Sequence, residues 1–252
     1  MLHFAEKTAP GGPAHPEAEV MVSALNAQLT HHGATDVLRA AFEAVPDIAL
    51  VSSFGAESVV LLHLAAMVKR DVPVIFIDTE MLFAETLVYQ QDVAERLRLE
   101  NMTVIRADDI SAHDPDGTLH TRDTDACCAL RKTVPLQKAL APYGGWMTGR
   151  KRYQSATRTS LEFFEVEEAT GRIKVNPLAR WAPEDVRDYM DENRLPRHPL
   201  VAKGYPSIGC APCTSPVAEG EDARAGRWRD QDKDECGIHF VDGKLVRVGQ
   251  ET

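Results

Sequence analysis

"DIALVSSFGAESVVLLHLAAMVKR" occupies residues 47–70. Its opening, "DIALVSSF" (47–54), is a short apolar run that stops in small polar residues, the pattern of a strand buried on both faces. "ESVVLLHLAAMVKR" (57–70) then has the length and apolar content of a packed helix. The unit repeats at once: "VPVIFIDT" (72–79) reads as a second buried strand, "LFAETLVYQQDVAERLRL" (82–99) as a second helix, and "MTVIRAD" (102–108) as a third strand. Strands alternating with helices predict an α/β fold, a parallel sheet with helices on both faces. In such sheets ligands bind at the carboxyl ends of the strands.

Two helical patterns, "EVMVSALNAQL" and "TDVLRAAFEAV", precede this unit. Residues 1–17, rich in Pro, Gly and Ala, are expected to form a loose arm. Downstream, "DACCALRKTVPLQKALAPY" (125–143) is helical in pattern, and Pro135 predicts a kink or break within it. "GGWMTGRKR" (144–152) reads as a strand entering a basic loop, "RIKVNPLA" (172–179) as a strand, and "APEDVRDYMDENR" (182–194) as a helix. From Leu195 the chain is Pro/Gly-rich and loses periodicity. The expected organisation is the arm, an α/β nucleotide-binding domain over 18–200, and a cysteine-containing C-terminal segment over 201–252 with a mobile tail, part of the same functional unit.

The formal net charge of −10 disfavours a general nucleic-acid binder, which needs a positive surface to neutralise phosphates. The first residues lack the basic-then-apolar pattern of a secretory signal, and no apolar stretch approaches the length of a membrane span. A cytoplasmic protein with neither membrane nor nucleic-acid partner is expected. In that compartment the five cysteines read as metal ligands or redox groups rather than disulfides.

Four cysteines are paired, Cys127-Cys128 and Cys210-Ala211-Pro212-Cys213, and Cys236 stands alone. An odd thiol left over suggests a reactive one. Cys-x-x-Cys is a good metal-ligand spacing. Adjacent helical cysteines point about 100° apart, which crowds a single tetrahedral zinc but suits the separate corners of an iron–sulfur cubane. Structural zinc, a redox pair and plain buried thiols stay open at this level. The turn "SSFGAES" (52–58) has small residues where a strand meets a helix N-terminus, a place that favours anions. It carries neither G-x-x-x-x-G-K-[ST] nor G-x-G-x-x-G. Its spacing resembles the S-G-G-x-D-S loop of ATP-pyrophosphatases, an adenine-nucleotide alpha-hydrolase-like fold, with Phe54 in place of a glycine and Glu57 in place of the aspartate.

"CCALRKTVPL" (127–136), "WMTGRKRYQSATR" (146–158), "KVNPLARW" (174–181), "GYPSIGCAPCT" (204–214), "RAGRW" (224–228) and "ECGIH" (235–239) follow one another in the order seen in assimilatory adenylyl-sulfate (APS) reductases. By these blocks the chain resembles the sulfonucleotide reductase family, iron–sulfur type, from about 50 to about 240. Departures are Ala84, where relatives often have proline, and Asp234, where threonine is common.

The resemblance implies a 4Fe–4S cluster on Cys127, Cys128, Cys210 and Cys213. It implies reduction of APS to sulfite and AMP through an S-sulfonate on Cys236, with a thioredoxin or glutaredoxin as reductant. Phosphorylated APS (PAPS) is the alternative substrate, and a homo-oligomer stays open. Arg224 and Arg227 are expected at the sulfate–phosphate end, where Arg offers a planar fork to an anion. Arg150, Lys151 and Arg152 are further candidates, and Lys132, four residues after Cys128, would link cluster and substrate electrostatically. Ser52, Ser53, Gly55 and Asp78 are expected near the adenosine end, although Asp78 could instead cap the next helix. His239 is expected to orient or protonate near Cys236. His63 reads as a packed residue. A tRNA-thiolating enzyme or a zinc-stapled nucleotide-binding module would leave the arginines, Cys236 or the negative charge unexplained.

Overall fold

The structure, a computed structural model, describes residues 15–229 and Lys233. Helix α1 (Pro16–Gln28) starts with proline in its first turn, where the missing N–H costs nothing, and with Glu17 and Glu19 against the positive end of the dipole. Helix α2 (Ala34–Ala44) follows, then β1 (Ile48–Ser52), α3 (Ser58–Val68), β2 (Val74–Ile77), α4 (Ala84–Leu97) and β3 (Met102–Ile105). The elements from β1 to β3 lie within the stretches that their hydrophobic patterns predict, whereas α2 begins one residue early and α1 three residues early, taking Pro16 and Glu17 out of the expected arm. Short helices α5 (Ile110–His113), α6 (Leu119–Arg122) and α7 (Thr124–Cys128) lead to α8 (Val134–Leu140). β4 (Gly145–Met147), β5 (Phe164–Val166), β6 (Ile173–Val175) and α9 (Pro183–Glu192) complete the regular elements.

The strand order is β3-β2-β1-β4-β6-β5, parallel throughout except for β5, which runs antiparallel to β6. Strand β1 pairs with β2 on one side and β4 on the other, so the order reverses there. That reversal opens a crevice at the carboxyl ends of β1 and β4, where connections leave in opposite directions. The sheet is covered on both faces, but unequally. Ile48, Leu50, Val74, Phe76, Met147 and Val175 share one core with residues of α2, α3, α4 and α9. Their alternate neighbours Ala49, Ile75, Ile77 and Trp146 form a second core with Leu136 and Leu140 of α8. Helix α3 is buried almost all round, which explains its unbroken apolar run.

Two features differ from expectation. Helical bonding continues from α7 into α8, but residues Ala129–Thr133 between them are wound as a π-helix. Pro135 therefore sits in the first turn of α8, and the wider winding ahead of it takes up the misfit in place of a break. Strand β5 carries no periodicity that predicts it: three residues are too few. Its outer edge is covered by a side chain, because Asn26 on α1 donates to Phe164 O (2.9 Å) and accepts from Phe164 N–H (3.0 Å).

After α9 the described chain is irregular apart from 3-10 turns at Pro199–Lys203 and Ala211–Cys213. It returns across the carboxyl ends of the strands: Ala211 N–H donates to Met81 O (2.7 Å), and Cys210 bridges Leu82. Among the described residues, no helix is long and apolar enough to cross a membrane.

Candidate active site

The crevice between β1 and β4 holds a cavity of about 310 Å³. Ser52, Ser53 and Gly55, from the turn after β1, line what we call its serine end, and Lys132, Cys210, Arg224 and Arg227 its cysteine end.

The serine end is built from the turn after β1. Ser52 Oγ accepts from Phe54 N–H (3.2 Å), and Ser58 Oγ accepts from Gly55 N–H (2.9 Å). Phe54 takes a left-handed φ of 48°, a conformation side chains disfavour. Its ring compensates by full burial, edge-on to Phe76 at 5.2 Å. The position that reads as a lost glycine is thus an aromatic anchor beneath the turn. Glu57 stands just before α3 and accepts from Lys151 Nζ (2.7 Å) and Tyr153 Oη (3.0 Å). Lys151 is 2% exposed, and burial pushes its amine below the ordinary lysine value although Glu57 opposes the shift. Arg158 also lines this end and donates to Gln154 Oε1 (2.5 Å).

Arg150 lines the cavity and is tied to Asn176 Oδ1 (3.0 Å) and the Glu165 carboxylate. Arg152 turns away, to Leu161 O and Glu162. Asp78 does not line the cavity. It is nearly buried, accepts from Glu80 N–H (2.9 Å) and pairs with Arg106 (2.8 Å), so it braces the turn after β2. His63 packs on α3 with Nδ1 2.8 Å from Tyr189 Oη.

At the other end α7 presents Cys127 and Cys128, and the Ala211–Cys213 turn presents Cys210 and Cys213; all four are free thiols. Burial pushes the Cys127 thiol up, Arg131 opposes this, and Cys210 and Cys213 push it further up. Cys213 is likewise raised by burial and by Cys210, against the pull of Lys132, Arg227 and Lys233. Cys127, Cys210 and Cys213 therefore lie within electrostatic reach of one another, among Arg131, Lys132, Arg227 and Lys233. Arg131 fixes α7: it is 4% exposed, pairs with Asp114 (2.7 Å) and donates to Thr79 O (2.9 Å). Burial pushes the Asp114 carboxyl up, but the bonds from Arg131 and Leu119 N–H outweigh it and hold the group below its ordinary value. Thr79 Oγ1 lies 3.2 Å from Cys210 Sγ. Among the described residues, no three His, Cys, Asp or Glu side chains converge closely enough for one metal ion.

Arg227 stacks on Trp228 at 4.4 Å, and its buried Nε has no acceptor among the described residues. The guanidinium lies against Gly209, where a β-carbon would stand 2.4 Å from Arg227 Nη2. The glycine before Cys210 thus makes room for the arginine. Cys236 and His239 lie outside the described residues.

The crevice brings together Ser52, Ser53, Gly55, Lys132, Arg150, Arg224 and Arg227, and leaves Asp78 to one side. Sequence reasoning missed Glu57 as the partner of Lys151, and Arg158 as a cavity residue. The signal for Arg158 was its place at the end of "WMTGRKRYQSATR".

A doubly wound α/β domain with a cation-lined crevice at its switch point and two cysteine pairs beside it defines a nucleotide-handling protein class. Residues 47–216 match the phosphoadenosine phosphosulfate reductase domain, and the chain belongs to that family. An adenosine 5'-phosphosulfate reductase of Chelativorans sp. (strain BNC1) is 46% identical over 230 residues, covering 89% of this chain and 93% of its own. That of Mesorhizobium japonicum is 51% identical over 196 residues, 77% of this chain and 76% of its own. The crystal structure of phosphoadenylyl-sulfate reductase from Candida auris, a phosphate complex, is similar with a TM-score of 0.68 at 30% identity, covering 78% of this chain and 96% of that one.

Proposed function

We propose that the chain reduces APS to sulfite and AMP with electrons from a thioredoxin- or glutaredoxin-type dithiol. The observation that carries this reading is the charge arrangement at the cysteine end. Arg227, whose Nε has no acceptor among the described residues, lines with Arg224 and Lys132 a cavity of nucleotide size beside the cysteine pairs. A sulfate–phosphate anhydride is the anion such a cluster suits, with the adenosine toward Ser52, Ser53 and Gly55.

Cys127, Cys128, Cys210 and Cys213 would hold a 4Fe–4S cluster. Their chemistry fits: burial pushes the free thiols Cys127 and Cys213 up, and the cations Arg131 on the one and Lys132, Arg227 and Lys233 on the other oppose it in favour of the thiolate a cluster needs. Adjacent Cys127 and Cys128 at the end of α7 point apart, which suits the separate corners of a cubane better than one tetrahedral zinc. When bound, the cluster supplies a compact thiolate-ligated centre beside the anionic end of the substrate. Lys132, 8% exposed at the cavity wall, then stands between the two charges.

In the first step the Cys236 thiolate attacks the APS sulfur. The S–S bond forms, the S–O bond to AMP breaks, and AMP leaves with that electron pair. In the second, a thiolate of the dithiol attacks Cys236 Sγ, and sulfite leaves with the S–S pair. The second thiol of the dithiol then releases Cys236 as it closes its own disulfide, so two electrons pass from dithiol to sulfur. His239 would serve the proton balance at Cys236.

Glu57 favours APS over PAPS. Its carboxylate already neutralises Lys151, so an extra ribose phosphate at the serine end meets a filled charge site. The test is sulfite release from APS against PAPS with a reduced thioredoxin or glutaredoxin. Expected is preference for APS and no sulfite from Cys236→Ser. Preference for PAPS, or turnover by that variant, overturns the reading.

A further inference from the structure

Lys233 is three residues ahead of Cys236 and is held far more firmly than its place near the C-terminus requires. Its side chain is only 10% exposed. Nζ donates to Asp125 Oδ1 on α7 (2.5 Å) and lies 3.6 Å from Cys128 Sγ. The ammonium also lies 5.6 Å from the centre of the Trp228 ring, whose neighbour Arg227 lines the cavity. A surface lysine ordinarily gains little from one ion pair and keeps its ammonium in water. Here the stem is desolvated and the amine has a carboxylate, a sulfur and an aromatic face around it.

We propose that Lys233 and Asp125 form an anchor that fixes the chain just before Cys236 against the helix bearing Cys127 and Cys128, so that the thiol is delivered to the sulfate end of the cavity. The idea rests on the assignment of Cys236 as nucleophile. Upstream, Arg229 is already tied to Glu221 (2.9 Å). Without the Lys233 contact the thiol hangs seven residues beyond Arg229; with it, three beyond Lys233. Effective concentration falls roughly as the −3/2 power of tether length, so the shorter tether raises it about 4-fold. The anchor does not touch the reacting atoms, which makes both members positioning residues. The geometry also sets where the thiol can go: three residues reach at most about 10 Å from Lys233. That span keeps Cys236 tethered to the cysteine end of the cavity.

Two readouts test it on the full-length, iron-loaded protein. The first is limited trypsinolysis, comparing cleavage after Lys233 with cleavage after Arg229 as the internal reference. Asp125→Asn leaves Lys233 in place but removes the charge of its carboxylate partner, so cleavage after Lys233 is expected to rise at least 5-fold relative to the reference. The second is single-turnover formation of the Cys236 S-sulfonate. Lys233→Gln and Asp125→Asn are each expected to slow it about 4-fold, with AMP affinity unchanged. The double variant should be no slower than either, and the exchange Lys233→Asp with Asp125→Lys should recover part of the rate. Equal trypsin cleavage in wild type and Asp125→Asn, additive losses, or wild-type rates in the single variants overturn the anchor. A sulfonate that still forms in Cys236→Ser overturns instead the nucleophile assignment, a separate outcome.

Discussion

The two ends of the cavity solve opposite problems. At the serine end the polar groups satisfy one another: Ser52 and Ser58 hold the turn's own N–H groups, and Glu57 neutralises the buried Lys151. At the cysteine end they do not. Arg227 keeps a buried N–H without an acceptor among the described residues, and burial together with Cys210 and Cys213 pushes the Cys127 thiol up. A self-satisfied end recognises shape at little electrostatic cost to the free protein. An end out of balance stores its interactions for an anionic ligand and a cluster, and it is where bonds are expected to change.

The sharpest way to break this contrast is Arg227→Ala. It should lower kcat/KM for APS roughly 100- to 1,000-fold while iron content stays at wild-type level. Steady-state kinetics with iron analysis checks this, and a loss under tenfold would mean the guanidinium does not face the charge that develops. Gly209→Ala should act through the same group, since the new β-carbon would sit 2.4 Å from Arg227 Nη2. Displacement without deletion is expected to cost roughly 30-fold in kcat/KM. An unchanged value would show that the arginine can shift freely.

At the serine end, Glu57→Gln removes the carboxylate that pairs with Lys151. The ratio of kcat/KM for APS over PAPS should fall about tenfold; an unaltered ratio would place substrate discrimination elsewhere. The smallest effect concerns the frame alone. His198 is buried, with Nε2 3.1 Å from Thr86 Oγ1 and Nδ1 accepting from Leu200 N–H, and burial pushes its pKa down to about 4. The unfolded chain takes up that proton near pH 6.5, so the stability from neutral His198 is complete above about pH 6.5 and fades as the pH falls toward 4. Melting should drop by about 4 °C between pH 7 and 5, with a shallower slope in His198→Gln. Equal slopes would mean that other groups govern the acid limb.

The alternation from 47 to 108 was readable because each buried strand and helix carries its period in its own residues. Strand β5 was not, since Phe164–Val166 is a strand only by virtue of β6 beside it. The π-winding at 129–133 escaped for a related reason: "ALRKT" has the same side-chain pattern in either helix, and the difference lies in how the chain accommodates Pro135. At the site, motif order located Arg224, Arg227, Lys132 and the serine turn. Asp78 reads as a ligand candidate because it ends a strand, yet parallel pairing of β2 with β3 places Arg106 beside it. Ion pairs between segments, Glu57 with Lys151 and Asp125 with Lys233, leave no trace in local pattern, and only the fold brings them together.

The amide of Asn26 imitates a peptide unit on the outer edge of β5, giving Phe164 both the donor and the acceptor a neighbouring strand would offer. Helix α1 is thereby a stopper against strand addition from another molecule, a guard on solubility rather than on chemistry. A version of the protein shortened past residue 28 would keep every cavity residue and yet expose a ready template for aggregation.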